Sequence, residues 1–170
     1  MKRILTLAFC LCIITAHAQH TPVPPTDEFK ITGIVKKELT LRLKDLAAFK
    51  QDALGDLPIK NKKGEPKDVA HNMKGVLLKT ILDSADITTD KHKEYSELVI
   101  VLIASDGYKN VYSWNELYNN DAGNHVYVIT EIDGKVMDQI TGRILVVSMS
   151  DTNSGRRHLK GLSRIEVRRL

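Results

Sequence analysis

The residues best suited to bind a ligand are arginines near the end of the chain. Six of the eight arginines lie at or after position 143, whereas lysines dominate the earlier part. An arginine side chain is a planar fork that binds phosphate or carboxylate groups through two hydrogen bonds. Residues 153–158, Asn-Ser-Gly-Arg-Arg-His, add a loop with backbone N–H donors. We interpret this region as a candidate anion site; a solvated basic surface is the alternative interpretation.

The sequence contains no motif from the standard catalytic set. Gly-x-Ser-x-Gly, His-Glu-x-x-His, the phosphate-binding loop and Gly-x-Gly-x-x-Gly are all absent. No two histidines after residue 18 have the spacing of metal ligands, so only folding could assemble a histidine metal site. His71 lies between a predicted strand and the best predicted helix. We interpret it as a loop or capping residue; a ligand is the alternative interpretation. We assign no catalytic residue and no metal ligand.

The first 18 residues have the pattern of a secretory signal peptide. Lys2 and Arg3 precede an apolar run at 4–15, and Ala-His-Ala at 16–18 is a typical cleavage site. A membrane anchor is the alternative interpretation, but the run is shorter than the ~20 residues that a membrane-spanning helix requires. We therefore expect the protein to be exported, either periplasmic or secreted, with no transmembrane anchor after cleavage.

Both cysteines, Cys10 and Cys12, lie inside this predicted signal peptide. The mature protein is therefore expected to have no disulfide, no cysteine zinc site and no thiolate nucleophile. A lipoprotein signal is a weaker interpretation, because the bulky Phe9 stands where a small residue would precede a lipidated cysteine.

The composition is that of an ordinary globular domain. The 170 residues are 27% charged and 42% hydrophobic, and this length favours one domain with its own core. A net charge of +4, without a dense basic face and interleaved aromatic residues, does not indicate a nucleic-acid partner. After the signal peptide we predict a proline-rich flexible leader at 19–28 and a single domain at 29–170.

Strand patterns dominate that domain. The best helix covers 75–85, where Leu77, Leu78, Ile81 and Leu82 fall on one face. Strands are predicted at 29–35, 39–43, 57–61, 67–72, 98–104, 109–113, 125–132, 142–148 and 162–168. The predicted core includes Leu77, Ile81, Val101, Ile103, Leu145 and Val147. These elements predict an α+β domain with β-rich mixed sheets and a few short helices.

An ordered series of segments resembles the molybdopterin-binding oxidoreductase domain of sulfite oxidase and its bacterial relatives. Lys-Gly-Val-Leu-Leu at 74–78 matches the family's Gly-Val-x-Leu helix start, and Gly-Arg-Ile-Leu-Val-Val at 142–147 is similar to its Gly-x-Leu-Arg-Leu-Val strand. The matching segments, in chain order, are 29–33, 39–46, 74–82, 104–108, 133–137, 142–147 and 160–167. The resemblance covers most of the mature chain and implies the sulfite-oxidase molybdopterin-binding fold.

The chain departs from that family at the metal ligand. Family enzymes hold molybdenum through the pterin dithiolene and one protein cysteine, which the resemblance places at 58–74, where this chain has none. Met73 and Gly161 replace two family tryptophans, and Ser-Met at 148–149 replaces a Pro-Gly pair. His71 lies in the ligand segment, but its harder nitrogen donor substitutes poorly for a thiolate.

The resemblance therefore implies an exported, degenerate or non-catalytic relative of these oxidoreductases. By the same resemblance, Arg143, Arg156, Arg157 and Lys160 are candidates to bind a pterin phosphate or another anion, and His71 is a pocket residue by its segment alone. We expect no bound cofactor; molybdopterin is the one candidate that the family allows. A surviving site would be a concave pocket between 58–74 and 143–160.

Two alternatives stay open at this point. One is an active molybdopterin-dependent oxidoreductase with a nonstandard metal ligand, so the sequence does not decide whether the protein is an enzyme. The other is a β-rich interaction module that binds an exported protein partner.

Overall fold

Two five-stranded sheets form the framework of the computed structural model, which describes residues 22–61 and 63–170. The predicted signal peptide and the first leader residues, 19–21, lie outside the described residues. The strands are β1 Glu28–Gly33, β2 Leu39–Arg42, β3 Asp52–Lys60, β4 Pro66–Leu77, β5 Leu98–Ala104, β6 Lys109–Ser113, β7 Val126–Ile132, β8 Lys135–Val136, β9 Val146–Ser148 and β10 Leu162–Arg169. The helices are α1 Leu78–Ala85 and α2 Trp114–Tyr118, with 3-10 turns at Leu43–Ala48, His92–Glu97, Asp121–His125, Met137–Gln139 and Ser154–Arg156. The α+β class with dominant sheets is confirmed.

The first sheet has the strand order β2-β1-β10-β5-β6. The strands predicted at 29–35 and 39–43 pair as an antiparallel hairpin, and β10 pairs parallel to β1 and antiparallel to β5. Every residue of β5 is buried, as its continuous apolar run predicts. This sheet places the last strand, β10, beside the first strand, β1.

The second sheet has the strand order β3-β4-β7-β8, with β9 paired to β7. Residues 75–77 belong to β4, so the helix begins at Leu78 and the predicted start at Gly75 is wrong. A Cβ atom at Gly75 would lie 2.9 Å from the Val128 carbonyl oxygen, so glycine permits close pairing of β4 with β7 there. The strand predicted at 142–148 is limited to Val146–Ser148.

Side chains from both sheets and from α1 share one hydrophobic core. Ile31, Ile100 and Val167 of the first sheet belong to the same cluster as Val76 and Val128 of the second. Five of the six predicted core residues are buried, whereas Leu77 is only half-buried. Within the described residues, no helix is both long and apolar enough to cross a lipid bilayer.

The part of the leader that the structure describes is attached to the domain, which differs from the predicted loose packing. The Thr26 backbone N–H donates to the Arg143 carbonyl oxygen at 2.6 Å, and the Thr26 hydroxyl donates to the Leu162 carbonyl oxygen at 2.7 Å. Asp27 forms an ion pair with Arg143 at 2.8 Å. These partners lie more than a hundred residues away in the chain, so the proline pattern gave no sign of them.

Candidate functional site

A cleft of about 490 Å³ lies where a surviving pocket was expected, between the β3–β4 hairpin and the loop before β10. It is lined by Ile59, Lys60, Asn61, Lys67, Asp68, Tyr108, Gly155, Arg156, His158 and Lys160. We call this set of residues the cationic cleft. It joins residues from 58–74 to residues from 143–160, the two segments that the sequence analysis singled out.

Four cationic side chains line the cleft against one carboxylate. The cations are Lys60, Lys67, Arg156 and Lys160, and the carboxylate is Asp68. Among residues 22–61 and 63–170, none of the four cations has a carboxylate oxygen within 4.0 Å. Uncompensated positive charges that share a concave surface attract anions, because the walls hold the charges close together. This arrangement of charges is one that can attract an anion.

The loop that carries Arg156 is fastened to the end of β3. The buried Ser154 hydroxyl donates to the Pro58 carbonyl oxygen at 2.6 Å and accepts from the Lys60 backbone N–H at 3.3 Å. Gly155 follows, and a Cβ atom there would lie 2.3 Å from the Lys60 carbonyl oxygen. Only a glycine allows so close an approach, and it brings Arg156 beside the hairpin.

Two side chains from the region around β6 hold the same loop from the other side. The Tyr108 hydroxyl donates to the Arg156 carbonyl oxygen at 2.6 Å, and the Asn110 side-chain amide donates to the Arg157 carbonyl oxygen at 3.1 Å. Asn110 is buried, so its hydrogen bond is shielded from water. The backbone of the loop is therefore positioned before any ligand arrives.

His158 is a neutral imidazole within this cationic environment. Burial lowers its pKa to about 4, and the positive charge of Lys160 acts in the same direction. At neutral pH the ring therefore offers one N–H donor and one nitrogen acceptor to the cleft.

Arg157 is a structural residue, unlike its neighbour. Its guanidinium donates two hydrogen bonds to Asp151, at 2.7 and 2.5 Å, and one to Glu116 at 2.5 Å. It also stacks 4.5 Å above the ring centre of the buried Tyr112. The hydrogen bonds to Asp151 raise the pKa of Arg157 further above its usual range. With its donors used in this way, Arg157 does not line the cationic cleft.

Two more predicted site residues also lie outside the lining of the cleft. Arg143 donates to Asp27 at 2.8 Å and holds the leader. His71 lies on β4, where its Nδ1 atom is 2.9 Å from an Asp56 carboxylate oxygen, and this hydrogen bond raises the pKa of His71. Of the five residues predicted for the site, the cleft brings together Arg156 and Lys160.

Lys60, Lys67 and Tyr108 were not predicted as site residues, and His158 was named only as part of the 153–158 loop. The sequence held a signal for the two lysines. The predicted strands 57–61 and 67–72 flank the turn-forming segment Gly64-Glu65-Pro66, so the two strands must lie close to one another. In the structure Lys60 pairs with Pro66, directly before Lys67. No comparable signal pointed to Tyr108, because its contact with the loop spans 48 residues of sequence.

The donor set of the cleft suits the phosphate of a pterin cofactor better than its metal. Positions 22–170 contain no cysteine, so the cleft has no thiolate for molybdenum. No three His, Cys, Asp or Glu side chains are grouped as metal ligands in the described part of the chain. Ammonium and guanidinium groups, by contrast, bind phosphate without any metal.

Comparison with known proteins gives a likeness of fold. No family model matches the chain, and no curated protein is similar to it in sequence. The structure is similar to part of the sulfane dehydrogenase SoxCD from Paracoccus pantotrophus, with a TM-score of 0.56 and 14% sequence identity. The match covers 82% of this chain and 37% of that chain, so this chain corresponds to just over a third of its neighbour. The likeness supports a distant molybdopterin-oxidoreductase-like fold.

Proposed function

We propose that the protein is an exported, non-catalytic relative of the molybdopterin oxidoreductases of the sulfite oxidase type that binds a phosphate-bearing anion in the cationic cleft. The observation that carries this proposal is the set of four cations on one concave surface, none of which has a carboxylate partner within the described part of the chain. The fold likeness and the resemblance of the sequence segments support the same family. A pterin phosphate is the ligand that this relationship favours, and the predicted signal peptide supports export.

The ligand would be held by charge and by fixed donors. Arg156 supplies a guanidinium fork from a loop that Ser154 and Tyr108 hold in place. Lys60, Lys67 and Lys160 add ammonium groups around it. No residue of the cleft is a thiolate or an activated nucleophile, so we assign binding and no covalent step to these side chains.

Calorimetric titration with inorganic phosphate tests this proposal. We expect the Arg156→Gln/Lys160→Gln double variant to bind phosphate at least about tenfold more weakly than the wild type, because two charge-assisted contacts are lost. Lys37→Gln/Lys93→Gln is the matched control, since both lysines are exposed and lie outside the cleft. An equal loss in both double variants, or no binding by the wild type, would overturn the proposal.

Elemental analysis separates the proposal from the active-enzyme alternative. Protein purified from a native host that makes molybdopterin should contain no stoichiometric molybdenum, because the mature chain offers no thiolate. About one molybdenum per chain would instead establish an oxidoreductase with a nonstandard ligand.

A further inference from the structure

We propose that anion binding in the cationic cleft is coupled to the uptake of one proton by His158. This inference rests on the proposed function, since it requires an anion in the same cleft. It adds a regulatory property, because the affinity of the cleft would then depend on the pH of the compartment.

The position of His158 is the first argument. It lines the cleft between Arg156 and Lys160 on the loop before β10. The groups around it also come from other elements: Lys67 and Asp68 from β4, Lys60 from β3, and Tyr108 from the turn before β6. Asp68 is the one carboxylate among these groups. An additional positive charge on the imidazole is therefore opposed by an excess of cations when the cleft is empty.

Burial of the His158 ring disfavours its protonated form further. Desolvation disfavours the charged form of a histidine, and together with Lys160 it lowers the pKa of His158 to about 4. The ring thus remains neutral in the empty cleft over the physiological pH range. It stays close to solvent, however, because part of its surface is accessible through the cleft.

A divalent anion offsets most of the excess positive charge around the imidazole ring. Two negative charges beside the imidazole favour its protonated form, as does a hydrogen bond from the new N–H to an anion oxygen. The pKa of His158 therefore rises when the anion binds. The proton comes from solvent, and no bond other than the N–H bond is formed.

Linkage fixes the direction of the effect on affinity. A group that has a higher pKa in the complex than in the free protein makes binding tighter as the pH falls. The gain is at most about tenfold per pH unit, and only between the free and the bound pKa of the histidine. Above the bound pKa the ring is neutral in both states, and the affinity no longer depends on this group.

Sulfate is the appropriate probe, because it remains divalent where phosphate itself titrates. We expect the dissociation constant of sulfate to decrease several-fold between about pH 8 and about pH 5, with close to one proton taken up per anion at the lower pH. Calorimetry in two buffers that differ in ionisation enthalpy counts those protons. The ratio of the sulfate dissociation constants at about pH 8 and about pH 5 should be several-fold smaller in His158→Gln than in the wild type, whatever the affinity of the variant at pH 8.

A second measurement does not depend on how the variant folds. The proton NMR signal of the His158 ring should titrate at a higher pH with saturating sulfate than without it. Sulfate binding without proton uptake, or with an unchanged His158 titration, would overturn this inference and leave the proposed function intact. No sulfate binding by the wild type at either pH would overturn both.

Discussion

Gly155 packs so closely against Lys60 that a side chain could not begin at position 155 without displacing the backbone of β3. A Cβ atom there would lie 2.3 Å from the Lys60 carbonyl oxygen. The Ser154 hydroxyl bridges to the same strand, so the loop and the hairpin behave as one wall of the cationic cleft. The distance between Arg156 and the hairpin lysines therefore depends on this contact.

Gly155→Ala should weaken phosphate binding and lower the free energy of unfolding by about 1–3 kcal/mol, because the loop must move away from β3. Urea denaturation and calorimetry measure the two effects. Gly134→Ala is a suitable control: its φ is +75°, and nothing lies within 4 Å of a Cβ atom there. The control should lose stability through backbone strain alone and keep the phosphate affinity of the wild type. Unchanged phosphate affinity in Gly155→Ala would refute the positioning role of this contact.

Arg157→Gln should act on stability and leave the anion site largely unchanged. The substitution removes the partner of Asp151 and Glu116 and exposes the ring of Tyr112. We expect a loss of about 2 kcal/mol in the free energy of unfolding, typical for hydrogen bonds between charged groups in partly buried sites.

Arg156→Gln provides the matched comparison, because the same change is made one residue away. It should alter stability by less than about 0.5 kcal/mol, as surface substitutions do, while phosphate affinity falls. If the two variants affected stability and affinity alike, the distinction between a structural and a ligand-binding arginine would be wrong.

Local patterns were enough to predict much of the framework. β5 and β10 follow from an unbroken apolar run and from strict alternation, and Asp133-Gly134 marks the β7–β8 hairpin. The boundary between β4 and α1 was misplaced because the apolar residues at 75–77 fit a strand and a helix equally well. Their pairing with β7, about fifty residues later, decides the outcome.

The candidate site was less predictable, because long-range partners determine which basic residues are free. Arg143 and Arg157 looked equivalent to Arg156 in the sequence. Arg143 pairs with Asp27, 116 residues away, whereas Arg157 pairs with Glu116, 41 residues away, and with Asp151, six residues away. A charge pattern alone does not reveal such ion pairs. The hairpin that places Lys60 near Lys67, by contrast, could be predicted from the sequence.

His158 should also make stability depend on pH in the absence of an anion. Burial lowers its pKa from 6.5 to about 4, so the unfolded chain binds more protons than the folded protein between these values. The free energy of unfolding is therefore unaffected by this histidine above about pH 6.5. It decreases by roughly 1–3 kcal/mol as the pH falls from there toward 4. His71 acts in the opposite direction, because its hydrogen bond to Asp56 raises its pKa.

The difference between wild type and His158→Gln isolates this contribution. The free energy of unfolding of the wild type, relative to that of His158→Gln, should fall by roughly 1–3 kcal/mol as the pH is lowered from about 6.5 to about 4, in buffer without phosphate or sulfate. A constant difference over that interval would show that the folded protein does not disfavour the imidazolium form.

The central claim is that an anion binds in the cationic cleft, and the most direct test is to locate bound phosphate by NMR. Inorganic phosphate is titrated into isotope-labelled wild-type protein while the backbone amide shifts are followed. We expect the largest shifts at residues 59–61, 67–68 and 155–160, and all of them should saturate with a single dissociation constant. Shifts centred on Arg143 or His71, or no saturable shifts in the cleft, would contradict this assignment.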